Sequence, residues 1–408
     1  MRRVVVTGMA GITALGDTWD AIEPRLRAGR NAVRMMHEWA WMEELQSKLG
    51  APVDDFKAPT HYPRKVVRSM GRVALMSVRA SELALTDAGL LDDPQIRNGR
   101  TGIAYGSSSG SIEPLKGFGL LLTTGKMSGL TSTSYIQMMS HTAAVNIGLY
   151  FGVTGRVIPT SSACTSGSQA IGYAYEAIRY GKQDVMIAGG SDELSPTHGA
   201  VFDTLFATSQ KNDSPDTTPR PFDRDRDGLV VGEGAATLIL EERERAIARG
   251  ARIHAEIVGF GCNSDGAHIT QPESETMGTA MTIALEDASL PPSEIGWVNA
   301  HGTATERGDI AESHATAKVF GRPIPISALK SYFGHTLGAC GTIEAWLGIE
   351  MNRRGWIAPT INLVHPDPRC AELDYVTSSG RETASEYFMS NNFAFGGINT
   401  SLIFRQAG

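Results

Sequence analysis

Short runs of apolar and β-branched residues alternate with longer amphipathic stretches along the chain, and glycine or proline stands at most of the joints. Apolar runs bounded by turn residues are typical of buried strands, and their alternation with helices is typical of α/β proteins. Strands are predicted at residues 4–7, 101–105, 157–160, 184–188, 297–300, 324–327 and 387–391. The pattern therefore predicts an α/β fold with buried sheets.

A similar local arrangement occurs twice. The strand at 157–160 leads through residues 161–167 into a helix that Gly181 ends, and the apolar side chains of that helix share one face. These side chains are Ile171, Ala174, Ala177 and Ile178. The strand at 297–300 leads through residues 301–305 into a helix beginning near Asp309. We therefore predict two similar halves, residues 1–250 and residues 251–408.

The glycines after the first predicted strand, Gly8 and Gly11, invite comparison with a dinucleotide-binding loop. The GxGxxG order is missing, and so is the acidic residue about 20 positions further on. We interpret this segment as a tight turn from strand to helix.

Composition and charge narrow the class of protein. The net charge is −7, so a broad surface for nucleic acid or anionic membranes is not expected. No stretch approaches the roughly 20 apolar residues of a membrane span, and Thr7 and Gly8 interrupt the N-terminal apolar run before it could serve as a signal peptide. The four cysteines lie far apart without disulfide or zinc spacing. These features favour a reducing cytoplasm.

Cys164 is the first candidate for chemistry. It follows a predicted strand and precedes Thr165, Ser166 and Gly167, small residues suited to opening a helix. The positive end of a helix dipole would stabilise a thiolate there, and free backbone N–H groups could hold an oxyanion. A buried structural cysteine is the alternative, but a turn of small residues favours a nucleophile.

Two histidines, His301 and His335, stand in glycine-flanked loops after strands, where open α/β sheets place ligand-binding groups. Neither has a metal-ligand spacing, and the Asp-x-Asp at residues 223–225 lacks the later glutamate of a calcium loop, so no metal is predicted. Lys330, five residues before His335, is expected to favour a neutral imidazole there. Glu344, on a helix predicted at 341–353, either orients this group or is simply a paired helix carboxylate.

Four separated motifs carry a resemblance to a known family. They are Ala163-Cys164-Thr165-Ser166-Gly167, Arg220-Pro221-Phe222-Asp223 with Gly232-Glu233-Gly234, His301-Gly302-Thr303-Ala304-Thr305 with Gly308-Asp309, and Lys330-Ser331 with Gly334-His335. In these motifs and over nearly its whole length, the chain resembles β-ketoacyl-[acyl-carrier-protein] synthases of the elongating type, close to synthase II. The resemblance implies the thiolase-like fold, a duplicated αβαβα five-layer sandwich, a homodimer, and a Cys-His-His active site without a cofactor.

The resemblance also implies roles for individual residues. Cys164 would carry the acyl chain, His301 and His335 would stabilise the enolate of a malonyl thioester, and Lys330 and Glu344 would support them. Phe395 would supply a backbone oxyanion donor and act as a gate. Substrate contacts are expected from Thr303, Thr305, Phe393, Ser109 and Phe202. Contacts with an acidic acyl carrier protein are expected from Arg64, Lys65, Arg68, Lys126 and Lys211. Loop hydrogen bonding, core packing and solvated surface charge are the alternatives for these residues.

Some features depart from the synthase II pattern, namely Ser109, Phe333, Ala394 and the segment 38–56. They leave open a specialised ketosynthase that builds a polyene or polyketide chain. A second alternative is the non-catalytic chain-length-factor subunit of a heterodimer, which the retained Cys164, His301 and His335 disfavour. A third is a thiolase, which would need Cys340 as a second catalytic cysteine.

Overall fold

A computed structural model describes residues 1–407, and its largest sheet has 11 strands. The strands are β1 (Val4–Thr13), β2 (Arg34–Met35), β3 (Leu49–Ala51), β4 (Thr101–Gly106), β5 (Val157–Thr160), β6 (Val185–Asp192), β7 (Val231–Gly232), β8 (Gly234–Glu242), β9 (Ala255–Ser264), β10 (Ile295–Asn299), β11 (Pro325–Ser327), β12 (Trp356–Ile357), β13 (Asp374–Tyr375), β14 (Arg381–Glu382), β15 (Tyr387–Ala394) and β16 (Ile398–Gln406). The α-helices are α1 (Trp19–Arg27), α2 (Arg64–Val67), α3 (Arg72–Asp87), α4 (Glu113–Thr124), α5 (Ser134–Met138), α6 (Thr142–Phe151), α7 (Ser166–Arg179), α8 (Pro196–Asp203), α9 (Arg243–Ala248), α10 (Ser274–Ala288), α11 (Glu306–Phe320), α12 (Lys330–Phe333) and α13 (Cys340–Arg353). No helix in this part of the chain is both long and apolar enough to span a bilayer.

Five strands of each half follow the same spatial order in the large sheet, and β13 of the second half adds an eleventh strand at the edge beside β11. From the centre outward, the first half runs β1, β8, β6, β4 and β5, and the second runs β9, β16, β15, β10 and β11. When the five strands of each half are numbered in their order along the chain, their order in space is first, fifth, fourth, second and third in both halves. The halves meet where β1 pairs antiparallel with β9. The proposed boundary between residues 250 and 251 falls in the connection from α9 to β9 and stays a prediction.

Helices α7 and α13 lie between the two halves, because each packs on the other and on strands of both: α7 on β6 and β16, α13 on β8 and β15. Helices α3 and α6 cover the outer face of the first half, and α10 covers that of the second with α11 beside it. These layers form the expected αβαβα sandwich. The predicted apolar face of α7 is fully buried, and a Cβ on Gly172 would lie 2.2 Å from the Phe260 ring. Glycine there lets α7 approach β9 closely.

The interpretation of the segment from Gly8 to Gly11 as a strand-to-helix turn is wrong. This segment lies inside β1, which runs on to Thr13. A Cβ on Gly8 would lie 2.2 Å from the carbonyl oxygen of Ala84 on α3, and one on Gly11 would lie 2.3 Å from the Trp346 ring on α13. These glycines therefore allow helices to pack tightly against both faces of a central strand, which is a tertiary requirement and not a local turn signal.

Candidate active site

Cys164 lies in a short 3-10 turn, Ala163–Thr165, between β5 and α7. Ala163 has φ 49°, a left-handed conformation that costs energy in a residue with a Cβ. The Ser166 hydroxyl stabilises this turn, because it donates to the carbonyl oxygen of Ala163 and accepts from the N–H of Ser162. The turn thus holds Cys164 two residues before the start of the 14-residue helix α7.

The Cys164 sulfur is surrounded by hydrogen-bond donors. His335 Nε2 lies 3.0 Å from Sγ. The backbone N–H groups of Phe395 and of Cys164 itself act to lower the pKa of the thiol, as does the charge of Lys330. Burial nevertheless dominates and raises the pKa of Cys164 to about 11. The resting residue is therefore a thiol, contrary to the expected thiolate, and the donors are arranged to stabilise the anion when it forms.

The backbone fixes both the position and the tautomer of His335. Its N–H donates to the carbonyl oxygen of Val230, and its carbonyl oxygen accepts from the N–H of Gly232 on β7. The N–H of Leu337 donates to Nδ1 at 3.1 Å, so the ring proton is on Nε2, facing the sulfur of Cys164. Burial and the charge of Lys330 hold the pKa of His335 well below its usual value. The ring is therefore a neutral N–H donor.

Lys330 makes the ring of His301 a neutral N–H donor as well. The Lys330 ammonium lies 3.1 Å from His301 Nδ1 and donates to the His301 carbonyl oxygen at 2.8 Å. Because an ammonium only donates, Nδ1 is the acceptor and the ring proton is on Nε2. Burial, Lys330 and His335 together hold the pKa of His301 well below its usual value. Both imidazoles are thus neutral and carry their proton on Nε2.

Glu344 holds this ammonium in place. Its carboxylate pairs with Lys330 and accepts from the Asn392 amide at 2.7 Å, and all three side chains are buried. Burial lowers the pKa of Lys330, but Cys340 and Glu344 raise it more. From the sequence, Lys330 is expected to act beside His335, its neighbour along the chain, whereas its direct contact is with His301.

Two carboxylates hold the loop that carries His301, and neither of them was assigned a role from the sequence. Glu312 accepts from the backbone N–H groups of His301 and Gly302 at 2.7 and 2.8 Å. Asp309 accepts from the N–H of Ala304 at 3.1 Å. The two carboxylates are three residues apart on α11, so they share one helix face. The sequence feature that could have identified these two carboxylates is their spacing of three residues on a predicted helix, directly after the His301–Thr305 motif.

A cleft of about 530 Å³ opens onto Cys164. Of the predicted site residues, those lining it are Cys164, Phe202, His301, Thr303, Thr305, His335, Phe393 and Phe395. Lys330 and Glu344 lie behind the histidines. Ser109 does not line this cleft, and its hydroxyl lies 3.0 Å from Nε2 of the buried His198. The predicted aromatic residues lie close together, with the ring centroids of Phe202 and Phe395 5.3 Å apart.

The predicted carrier-binding cations lie outside the cleft. Arg64, Lys65, Arg68 and Lys126 are exposed, and Lys211 is half-buried. Within residues 1–407, none of the five makes a salt bridge. Their charges are therefore not neutralised by neighbouring carboxylates. That these residues bind a carrier protein stays a prediction.

The three clustered side chains also need to be considered as metal ligands. Donor atoms of Cys164, His301 and His335 lie within 4.8 Å of one another. The ring proton of His335 faces the sulfur, and the Lys330 ammonium lies against Nδ1 of His301. A cation in this position would displace the protons and approach a fixed positive charge, so the donor set does not suit a metal.

The fold and this site define a class of protein: a thiolase-like condensing enzyme with one cysteine and two histidines. Residues 1–246 match the family described as Beta-ketoacyl synthase, N-terminal domain, and residues 254–364 match its C-terminal domain. The chain belongs to the beta-ketoacyl synthase family, which confirms the resemblance predicted from the motifs.

Several known proteins are similar to this chain over its full length. A 3-oxoacyl-[acyl-carrier-protein] synthase 1 of Haemophilus influenzae is 35% identical over 100% of this chain and 99% of its own. A 3-oxoacyl-[acyl-carrier-protein] synthase 2 of Vibrio cholerae is 37% identical over 99% of both chains. The crystal structure of a beta-ketoacyl synthase from Burkholderia phymatum covers all of both chains with 63% identity and a TM-score of 0.99. The ishigamide ketosynthase/chain length factor covers all of both chains with 32% identity and a TM-score of 0.91.

Proposed function

We propose that this protein is a β-ketoacyl-[acyl-carrier-protein] synthase, which elongates an acyl chain by decarboxylative condensation with a malonyl thioester. The observation that carries the proposal is the convergence of Cys164, His335 and His301 on one cleft, with Nε2 of His335 3.0 Å from the sulfur. Family membership and full-length similarity to 3-oxoacyl-[acyl-carrier-protein] synthases support the same reaction.

The first step is transfer of the acyl chain to the enzyme. The Cys164 sulfur attacks the thioester carbonyl, the bond to the carrier sulfur breaks, and the thiol proton leaves with the carrier thiol. We propose that the backbone N–H groups of Cys164 and Phe395, which act to lower the pKa of this sulfur, hold the oxyanion that forms beside it. His335 Nε2–H stabilises the sulfur as its charge develops.

The second step is decarboxylation of the malonyl thioester. The bond between its carboxylate and its methylene carbon breaks, carbon dioxide leaves, and the electron pair forms an enolate. The Nε2–H groups of His301 and His335 donate to the thioester oxygen, where the negative charge accumulates. Because loss of carbon dioxide drives the reaction, no metal or redox cofactor is required.

The third step forms the carbon–carbon bond. The enolate carbon attacks the acyl carbonyl on Cys164, the bond to Sγ breaks, and the released thiolate takes up one proton from the solvent to restore the thiol. The product is a 3-ketoacyl thioester two carbons longer than the acyl chain. Thr303 and Thr305 line the cleft with their hydroxyls 2.8 Å apart, and we propose that they hydrogen-bond the arm that carries each thioester.

Acylation of Cys164 tests this function directly. Purified protein incubated with acyl thioesters of an acyl carrier protein should gain the mass of the acyl group on the peptide containing Cys164. Addition of the malonyl thioester should then remove that mass and release a 3-ketoacyl product. If no acyl group of any length is found on Cys164, the result favours the alternative of a non-catalytic partner subunit.

The pathway is a separate question, because a specialised ketosynthase is the second candidate. The specific observation in its favour is the full-length similarity of this chain to the ishigamide ketosynthase/chain length factor. A panel of saturated, unsaturated and aryl acyl thioesters distinguishes the candidates. Highest turnover with saturated chains supports fatty acid elongation, and a preference for conjugated or aryl chains supports the specialised pathway.

We further propose that the protein acts as a homodimer in the cytoplasm. Strand β5 lies at one end of the large sheet with Val157 45% exposed. Large apolar side chains are exposed on the segments that precede it along the first half, namely Leu122, Met127, Tyr135 and Leu149. An open strand edge beside apolar residues favours pairing with a second copy. Sedimentation equilibrium of the purified chain tests the dimer, and a monomer would favour a related partner subunit.

The proposed compartment rests on the cysteines. The free thiols of all four cysteines suit a reducing compartment such as the cytoplasm.

A further inference from the structure

The loop between His301 and α11 has a left-handed residue at its centre. Ala304 has φ 63°, a conformation that costs energy in a residue with a Cβ. On either side of it, the hydroxyl oxygens of Thr303 and Thr305 lie 2.8 Å apart on the wall of the cleft. Strain of this kind persists only where surrounding groups hold the backbone in place. The positions of the two hydroxyls therefore depend on the groups that hold Ala304.

The Asp309 carboxylate holds this residue together with a second left-handed residue, Phe222. One oxygen accepts from the N–H of Ala304 at 3.1 Å, and the other accepts from the N–H of Phe222 at 2.7 Å. Phe222 has φ 64° and belongs to the first half of the chain. Burial raises the pKa of Asp309 to about 6, and the charge of Arg226 opposes this rise. Asp309 is therefore a buried carboxylate that is ionised at pH 7, with Arg226 as its counter-charge.

Arg226 also binds the backbone of the same loop. Its side chain is 1% exposed. Nε donates to the carbonyl oxygen of Thr305 at 3.2 Å, and Nη2 donates to that of Glu306 at 2.9 Å. Nη1 donates to the Asp367 carboxylate at 2.6 Å, and Nε lies 3.6 Å from the Asp309 carboxylate. The planar guanidinium thus joins two carbonyl oxygens to two buried carboxylates in one fixed arrangement.

We propose that Arg226 is a positioning residue for the arm of the thioester substrate and acts through Thr303 and Thr305. The inference rests on the proposed function, in which these two hydroxyls hydrogen-bond that arm. Arg226 fixes the carbonyl oxygen of Thr305 and neutralises Asp309, which holds the left-handed turn between the threonines. It also ties this loop of the second half to the half that carries Cys164. Arg226 therefore sets where both hydroxyls lie relative to the sulfur.

The variant Arg226→Lys tests this role while it keeps the buried positive charge. A lysine ammonium still neutralises Asp309 and Asp367, but it lacks the planar fork that reaches both carbonyl oxygens. Arg179→Lys is the matched control. Arg179 also belongs to the first half, its side chain is 17% exposed, it lies 3.0 Å from the carboxylate of Asp287 in the second half, and it does not line the cleft. Thermal melting should show that both variants fold.

Two thioesters of one short acyl group measure the effect on acylation of Cys164. The pantetheine thioester has amide groups along its arm, whereas the ethanethiol thioester has none. Arg226→Lys should raise KM for the pantetheine thioester about five- to tenfold, the loss expected for about one hydrogen bond, and leave its maximal rate unchanged. The ethanethiol thioester should react as it does with the unchanged protein, because it offers the threonines no amide. Arg179→Lys should change neither reaction.

A second variant, Asp367→Asn, keeps the test decisive if Arg226→Lys does not fold. The amide oxygen can still accept from Arg226 but no longer balances its charge, so the guanidinium is held less firmly. Asp367→Asn should therefore raise KM for the pantetheine thioester by a smaller factor and leave the ethanethiol thioester unchanged. If this selective rise is missing from every variant that folds, the inference is overturned.

Adding the threonine changes shows whether Arg226 acts through these two residues. The combined Thr303→Val and Thr305→Val variant should itself raise KM for the pantetheine thioester, and adding Arg226→Lys should raise it no further. Additive effects would mean that Arg226 binds the arm directly, and equal effects on both thioesters would mean that it only stabilises the site. Either result overturns the inference and leaves the proposed function standing. If no thioester acylates Cys164 in the unchanged protein, that of an acyl carrier protein included, the proposed function fails and the inference fails with it.

Discussion

Nε2 of His335 lies 3.0 Å from the sulfur of Cys164, although 171 positions separate the two residues in the sequence. The N–H of Leu337 donates to the opposite nitrogen of the ring, so the proton of the imidazole faces the sulfur. His335 therefore acts as a hydrogen-bond donor at Cys164 and is not set up to remove its proton. This arrangement distinguishes the site from a cysteine–histidine pair in which the imidazole is a general base.

The two histidines should matter most for decarboxylation. We expect His301→Ala and His335→Ala each to slow carbon dioxide release from a malonyl thioester about 100- to 1,000-fold, because each removes one donor to the developing enolate. Cys164→Ala should abolish acyl transfer and keep decarboxylation. Release of labelled carbon dioxide measures the rate, and His314→Ala, on the exposed face of α11, is the control. Normal decarboxylation by both histidine variants would contradict the assigned roles.

The buried thiol predicts a steep pH dependence of its reactivity. Because burial raises the pKa of Cys164 to about 11, the thiolate fraction grows as pH rises, by about tenfold for each pH unit below the pKa. The rate of iodoacetamide modification at Cys164, followed by peptide mass spectrometry between about pH 6 and about pH 9, should rise accordingly. A rate that levels off near neutral pH would mean that the helix N-terminus outweighs burial.

The rate of decarboxylation, in contrast, should not change with pH in the neutral range. The pKa values of His301 and His335 lie well below 6.5, so both rings stay neutral as pH falls through the usual range of histidine titration. Carbon dioxide release by the Cys164→Ala variant should therefore stay constant from about pH 8 to about pH 6. A loss of rate with a midpoint near the ordinary histidine pKa would show that one ring becomes protonated there.

The pair of Lys330 and Glu344 should be important for stability. Lys330→Met leaves the buried Glu344 carboxylate without its cation, which we expect to cost about 3 to 5 kcal/mol of unfolding free energy. Lys330→Met combined with Glu344→Gln should recover part of the loss. Urea unfolding measures both. Lys116→Met breaks an exposed pair with Glu113 and should cost less than about 1 kcal/mol. Equal costs at the two sites would mean that burial does not make the loss of the cation more costly.

The thiolase alternative makes Cys340 a second catalytic residue, and its geometry argues against that role. Its thiol donates to the carbonyl oxygen of Cys164 at 3.2 Å, it is fully buried, and it does not line the cleft. Cys340→Ala should therefore retain most condensation activity, measured as 3-ketoacyl product formed from acyl and malonyl thioesters. A loss of activity equal to that of Cys164→Ala would favour the thiolase alternative.

Local signals in the sequence are sufficient for the elements around the nucleophile. The strand predicted at 157–160 is β5, and the helix predicted after Cys164 is α7 with its apolar face buried. These predictions succeed because strand runs, small capping residues and helix periodicity are properties of neighbouring positions. The same local reasoning failed at Gly8 and Gly11, where the glycines are required by Ala84 and Trp346, residues far away in the sequence.

The sequence by itself determined the α/β alternation, the placement of Cys164 between a strand and a helix, and the motifs that identify the family. Only the tertiary structure decided that Lys330 contacts His301, that Glu312 and Asp309 hold the histidine loop, and that Ser109 meets His198 outside the cleft. Secondary structure follows from residues a few positions apart. Burial, hydrogen-bond partners and tautomers follow from chain segments that meet only when the two halves pack around α7 and α13.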